Sequence, residues 1–80
     1  MSTKQLREIS IAAARSQLRR SGTSPEKATM IQVEAALDEI ERTSPNTLVA
    51  QWYRLTADNQ AEWRRFTREF KSEVTNSQRL

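Results

Sequence analysis

The chain has 80 residues and contains no cysteine, no histidine and only one glycine. These absences exclude a disulfide framework, Cys/His zinc sites, a thiolate nucleophile, histidine acid–base chemistry and glycine-rich phosphate loops. With 36% hydrophobic residues and 13 basic against 10 acidic side chains, for a net charge of +3, the composition predicts one small basic domain with a thin core. No apolar run approaches the ~20 residues of a membrane-spanning helix.

Turn and capping signals divide the chain into helices. Gly22 can end a first helix and Pro25 can begin a second. In the same way, Ser44 can cap a third helix that has Pro45 at its first position. In the segment 56–58, Thr56 can cap a fourth helix and Asp58 places an acidic side chain in its first turn. The predicted fold class is therefore all-α, a small compact bundle of about four helices at roughly 3–20, 25–42, 45–55 and 57–74.

The first predicted helix is apolar on two sides. One stripe contains Leu6, Ile9 and Ala13, and the other contains Ile11, Ala14 and Leu18. Such a helix either lies between neighbours or presents one stripe to a partner. Because four helices have little to cover both sides, we predict an interaction surface at Ile11 and Leu18, accompanied by Arg15 and Arg19.

The second and third predicted helices each carry a core stripe. In the second helix the stripe consists of Met30, Val33, Leu37 and Ile40, and in the third it consists of Leu48, Trp52 and Leu55. Ile31 lies outside these stripes and forms part of a smaller apolar patch. Val49 and Tyr53 are left at the rim of the third helix, a composition that is common in interfaces. A partly buried tyrosine with a hydrogen-bonded hydroxyl is the alternative.

The fourth predicted helix has the clearest pattern. A stripe for the core contains Trp63, Phe66, Phe70 and Val74. Arg64, Arg68 and Lys71, which we call the basic row, lie on one side of that stripe. We predict that the basic row is a contact surface, with an ordinary solvated face as the alternative.

One segment suggests nucleic-acid binding. Residues 43–48, Thr-Ser-Pro-Asn-Thr-Leu, resemble the start of a recognition helix in helix-turn-helix regulators, which implies sequence-specific DNA binding by the third helix. The resemblance departs from the family at 41–43, where a glycine and an apolar residue are usual, and Arg54 is the only cation on the reading helix. Phosphate contacts through Arg15, Arg19 and the basic row are a second route to nucleic acid.

These patterns predict a non-catalytic helical adaptor, regulator or inhibitor that binds another macromolecule, in first place a protein. We expect no enzyme activity, cofactor or metal, because the acids lie on amphipathic helices beside basic residues. The alternatives are a nucleic-acid-binding regulator and a homodimer. We expect one domain over residues 1–80, frayed at 75–80, in the cytoplasm; the basic, acid-poor segment 1–24 is also typical of a mitochondrial presequence.

Overall fold

Four α-helices make up most of the molecule. The computed structural model describes residues 2–78, and the side chains of residues 2–76. Over this range the elements are α1 (Thr3–Arg20), a short 3-10 helix η1 (Pro25–Lys27), α2 (Met30–Thr43), α3 (Leu48–Thr56) and α4 (Gln60–Gln78), with no strand. The radius of gyration is 11.8 Å, close to the value of about 12 Å for a compact chain of this length. The predicted all-α bundle is confirmed.

Capping side chains set the starts of the first two helices. α1 has the predicted bounds, and Ser2 and Gln5 cap it reciprocally. α2 begins later than predicted, because Pro25–Lys27 forms η1 instead. The Thr29 hydroxyl accepts a hydrogen bond from the Gln32 N–H at 3.2 Å, and the Gln32 side chain accepts one from the Thr29 N–H at 2.9 Å. This capping box outweighs the proline signal and determines where α2 starts.

The starts of α3 and α4 also lie later than predicted. Thr47, and not Ser44, caps α3, because Thr47 Oγ1 accepts a hydrogen bond from the Ala50 N–H at 3.2 Å. Asn59 caps α4, since its Oδ1 accepts a hydrogen bond from the Glu62 N–H at 3.1 Å. In both places a second polar residue close to the predicted cap supplies the actual one.

The end of α4 lies beyond the prediction. Helical structure continues through Gln78, four residues beyond the end predicted at residue 74, and so includes part of the tail that was predicted to fray. Val74 is buried against the core, which ties the last turns of the helix to the bundle. Residues 79–80 lie outside the described part of the chain.

The core contains apolar side chains from all four helices. Its buried members are Ile11, Ala14, Leu18, Val33, Ala36, Leu37, Val49, Trp52, Phe66, Phe70 and Val74. The stripes predicted for α2 and α4 are confirmed, with Val33, Leu37 and Phe66 completely buried. The Phe66 ring lies 4.8 Å from the Trp52 ring and 5.2 Å from the Trp63 ring, measured between centroids, so aromatic contacts join α3 to α4.

The interaction surface predicted on α1 is wrong. Ile11 and Leu18 are buried in the core and cannot meet a partner without unfolding of the bundle. The reason is the position of α1, which packs against α2, α3 and α4 and is therefore covered on both of its apolar sides. Leu6 and Ala13 of the other stripe also pack against the core, while Ile9 remains exposed at its edge.

α3 is rotated relative to its prediction. Val49, predicted at the rim, is buried, whereas Leu48 and Leu55, predicted in the core, are exposed. Trp52 lies on the predicted and on the observed buried face of α3, so its burial is compatible with either rotation of the helix. In the observed orientation of α3, the Trp52 indole N–H donates a hydrogen bond to Glu62 of α4 at 2.8 Å.

The buried hydroxyl of Ser10 leads to a stability prediction. Ser10 is completely buried on α1, and its Oγ has no hydrogen-bond partner among the described residues. Burying an unbonded polar group costs about 1–3 kcal/mol. We expect Ser10→Ala to raise the free energy of unfolding in urea by about 1 kcal/mol more than Ser16→Ala, an exposed control on the same helix that corrects for helix propensity. A loss of stability in Ser10→Ala would contradict this expectation.

Candidate functional site

A partly buried network of ion pairs and hydrogen bonds joins α4 to α1 and α3. Arg7 Nη1 donates to Glu62 Oε1 at 2.9 Å, and Arg7 Nε donates to Glu69 Oε2 at 2.5 Å. Glu62 is 3% exposed, so its charge depends on Arg7 and on the Trp52 indole N–H for compensation. Burial alone would lower the pKa of Arg7, but the hydrogen bonds and charges of Glu62 and Glu69 outweigh burial and raise it.

A groove separates α4 from α2. α4 packs on α1, α3 and η1, and α2 packs on α1 and α3, whereas α2 and α4 have little direct contact along their lengths. Two separate cavities open between them, and each is lined by residues of both helices. We call this surface, from the smaller cavity to the larger, the α2–α4 groove.

The larger cavity lies where η1 and the start of α2 face the second half of α4. Its volume is about 470 Å³. Its apolar lining consists of Pro25, Ala28, Met30, Phe70 and Val74. Glu26 and Lys71 also line it and are exposed. The cavity can therefore take a bulky apolar group between two charges of opposite sign.

The smaller cavity, of about 240 Å³, lies where α2 meets the end of α3 and the start of α4. Its lining consists of Glu34, Tyr53, Thr56, Ala57, Gln60 and Trp63. The Trp63 ring stacks on Phe66 at 5.2 Å, and the Tyr53 hydroxyl donates to Asp38 at 2.5 Å, so both aromatic walls are held in place. Because binding clefts for whole ligands usually occupy about 300–1,000 Å³, this cavity is suited to one side chain.

The basic row borders the groove on α4. Gln60 lines the smaller cavity and Lys71 lines the larger one, and Arg64 and Thr67 lie on the same helical stripe between them. Arg64, Arg68 and Lys71 are exposed, and none of them forms an ion pair within 4.0 Å in the part of the chain that the structure describes. The positive charge along this side is therefore available to a partner.

The opposite side of the groove is acidic and apolar. Glu34 and Glu26 line the two cavities from α2 and η1. Ile31, on the same stripe of α2 as Glu34, is 81% exposed. Ile31 follows Met30, which lines the larger cavity, so it adds an exposed apolar side chain close to this side of the groove.

The remaining predicted site residues lie elsewhere. Arg15 lines a separate cavity of about 200 Å³ between α1 and α4, together with Glu8 and Glu73. Arg19 is exposed at the end of α1, outside the groove. The predicted set therefore does not form one site, and Tyr53 is the one member from the first three helices that reaches the groove.

Met30 and Trp63 are two of the groove residues that the sequence prediction missed. Both were assigned to core stripes, and both do pack against the core, but they are only half-buried and also line the groove. The sequence did indicate that Trp63 is only partly buried, because Arg64 follows it directly and Trp63 therefore lies at the edge of the apolar stripe. Met30 carried no such signal, since the start of α2 was misplaced.

The helix-turn-helix segment offers little to DNA. Arg54, the one cation on α3, donates through Nη2 to the Pro45 carbonyl at 3.1 Å and lies 3.8 Å from Glu41. The exposed residues beside it include Leu48 and Leu55, which are apolar. The charge expected to read a base is thus partly satisfied within the fold.

Tyr53 leads to a prediction on alkaline pH. Burial, the hydrogen bond to Asp38 and the charges of Asp38, Glu34 and Glu41 raise the pKa of Tyr53 above its ordinary value. In the unfolded chain the Tyr53 hydroxyl ionises near pH ~10. The stability that neutral Tyr53 contributes to the fold is therefore fully present below that pH and is lost as the pH rises above it. Because the chain has one tyrosine, its phenolate absorbance follows this group alone. We expect ionisation well above pH ~10 in the folded protein and near it in urea; coincident titrations would contradict the assignment.

The described residues show no arrangement for metal chemistry. No group of His, Cys, Asp and Glu side chains in residues 2–76 is placed to hold a metal ion. No helix in the same part of the chain is both apolar and long enough to cross a membrane. Comparison with protein-family models, curated proteins and solved structures finds no match to this chain. The geometry of the α2–α4 groove is accordingly the basis for a functional proposal.

Proposed function

We propose that this protein is a non-catalytic adaptor, regulator or inhibitor that binds another protein through the α2–α4 groove. The observation that carries the proposal is the combination of two cavities with apolar and aromatic walls and the unpaired charges of Arg64 and Lys71 beside them. Aromatic side chains in recesses supply most of the binding energy in protein interfaces, and surrounding charges speed association and limit wrong partners. The proposed site of action is the cytoplasm.

The recessed apolar lining favours a protein over nucleic acid as the partner. Phosphates need exposed cations, whereas a cavity lined by Met30, Phe70 and Val74 gains free energy by removing apolar surface from water. The basic row indicates that the partner carries acidic residues next to its apolar contacts. We therefore infer an acidic, partly apolar protein surface as the ligand.

Capture from a lysate of the native host tests the proposal. Tagged wild-type protein is compared with the double variant Arg64→Glu, Lys71→Glu, with and without nuclease. The matched control, Arg20→Glu with Arg65→Glu, makes the same change in net charge at exposed positions outside the basic row. Circular dichroism verifies that both variants remain helical.

The proposal predicts one outcome of this comparison. A protein captured by the wild type and the control, but lost from the groove variant and unaffected by nuclease, supports it. Equal loss in both variants, or capture that nuclease abolishes, contradicts it; the second result favours nucleic-acid binding. In that case affinity for duplex DNA should fall steeply between ~50 and ~200 mM salt.

A further inference from the structure

On the basis of that function, we propose that the partner segment in the α2–α4 groove is one amphipathic α-helix, with two bulky apolar side chains three turns apart and an acidic flank facing Arg64 and Lys71. This conformation, spacing and charge pattern follow from three features of the groove: the secondary structure of its walls, the separation of the cavity-lining residues along α4 and the opposite charges of its two sides.

The walls of the groove favour a helical ligand. α2 and α4 form its two long sides, and a helix interior uses its own backbone N–H and C=O groups. The Thr29–Gln32 capping box also satisfies donors at the start of α2. An extended peptide would therefore leave its backbone unbonded against apolar walls, whereas a helix brings its hydrogen bonds with it.

The distance between the cavities determines the spacing of the anchors. Gln60 and Trp63 mark the smaller cavity on α4, and residues 70–75 mark the larger one. Along α4, the midpoints of these two sets of lining residues are about eleven residues apart, which corresponds to about three helical turns, or about 16 Å at 1.5 Å per residue. A ligand helix lying along α4 meets this distance with anchors at positions i and i+11, which lie on nearly the same face.

The charges of the two sides determine how the ligand helix is rotated. Lys71 lines the larger cavity on the α4 side, with Arg64 on the same helical stripe, and Glu34 and Glu26 lie on the side of α2 and η1. A helix whose acidic flank faces α4 gains attraction there and avoids repulsion from the opposite side. Its intervening apolar residues then lie over Ile31, which is otherwise exposed.

A defined peptide tests the inference. The probe is an alanine-rich peptide of about 20 residues with two phenylalanines eleven positions apart and a row of glutamates along one flank. The matched control has the same composition with the phenylalanines nine positions apart, which puts them on opposite faces. Binding is followed by the NMR signal of the Trp63 indole N–H, and helix formation by circular dichroism.

We expect saturable binding of the probe with a gain in helicity, and binding at least about tenfold weaker for the control and for a version with lysines in place of the glutamates. Thr67→Trp, which fills the groove, and Lys71→Glu, at an exposed position, should each weaken binding of the probe. Equal binding of probe and control, or no binding, would overturn the inference. The capture experiment is independent: a captured partner that binds the groove through a loop leaves the proposed function intact and refutes the helix.

Discussion

Replacing Arg7 by methionine is expected to lower the free energy of unfolding by about 3 kcal/mol. The substitution keeps much of the aliphatic stem but removes the charge that compensates Glu62 and Glu69. Glu62 is buried, and an uncompensated buried carboxylate is far more costly than the original pair is favourable. Chemical unfolding followed by circular dichroism measures the change.

Two controls isolate the buried charge as the cause. Arg20→Met alters an exposed arginine of the same helix and should change the stability by less than about 0.5 kcal/mol. Adding Glu62→Gln to Arg7→Met removes the carboxylate charge while leaving an amide oxygen as acceptor for Trp52, and it should restore much of the loss. A stability of Arg7→Met within about 1 kcal/mol of the wild type would contradict the account of this network.

Phe66→Ala is expected to destabilise the fold by about 4 kcal/mol. The ring is completely buried, and its centroid lies 4.8 Å from that of Trp52, 5.2 Å from that of Trp63 and 5.9 Å from that of Phe70. Removing it leaves a cavity where α3 joins α4. A domain of this length has a total stability of about 4–12 kcal/mol, so we expect the variant to be largely unfolded or to melt without a sharp transition.

Ile31→Ala is the matched control for that prediction. Its side chain is 81% exposed, and truncation should change the stability by less than about 0.5 kcal/mol. The same variant should weaken binding in the α2–α4 groove, because Ile31 is proposed as a contact residue there. Cooperative unfolding of Phe66→Ala near the wild-type midpoint would show that the aromatic cluster is not central to the core.

Local patterns predicted the fold well where one signal dominated. The apolar stripes of α2 and α4 repeat at helical spacing, and Val33, Leu37 and Phe66 are buried as expected. Helix starts were less predictable because several capping residues compete within a few positions. Thr29 and Thr47 prevail through hydrogen bonds whose formation depends on the whole local backbone.

The candidate site was only partly predictable for a different reason. The basic row could be read from α4 alone, because residues on one side of a helix share a simple spacing. The groove depends on which helices pack together, and periodicity within one helix carries no such information. The burial of Ile11 and the exposure of Leu55 result from the same long-range packing, which also brings Trp52 of α3 within hydrogen-bond distance of Glu62 of α4.

Photocrosslinking from α4 is the most direct test of protein binding in the α2–α4 groove. A photoreactive amino acid is placed at Gln60 or Thr75, which line the two cavities of the groove, and at Arg65 or Ser72, which are exposed outside it. We predict that, in the native host, both groove positions crosslink to one and the same protein and that the two outer positions do not. Crosslinks to that protein from Arg65 and Ser72 alone, or crosslinks from the groove to nucleic acid, would contradict binding of a protein partner in the α2–α4 groove.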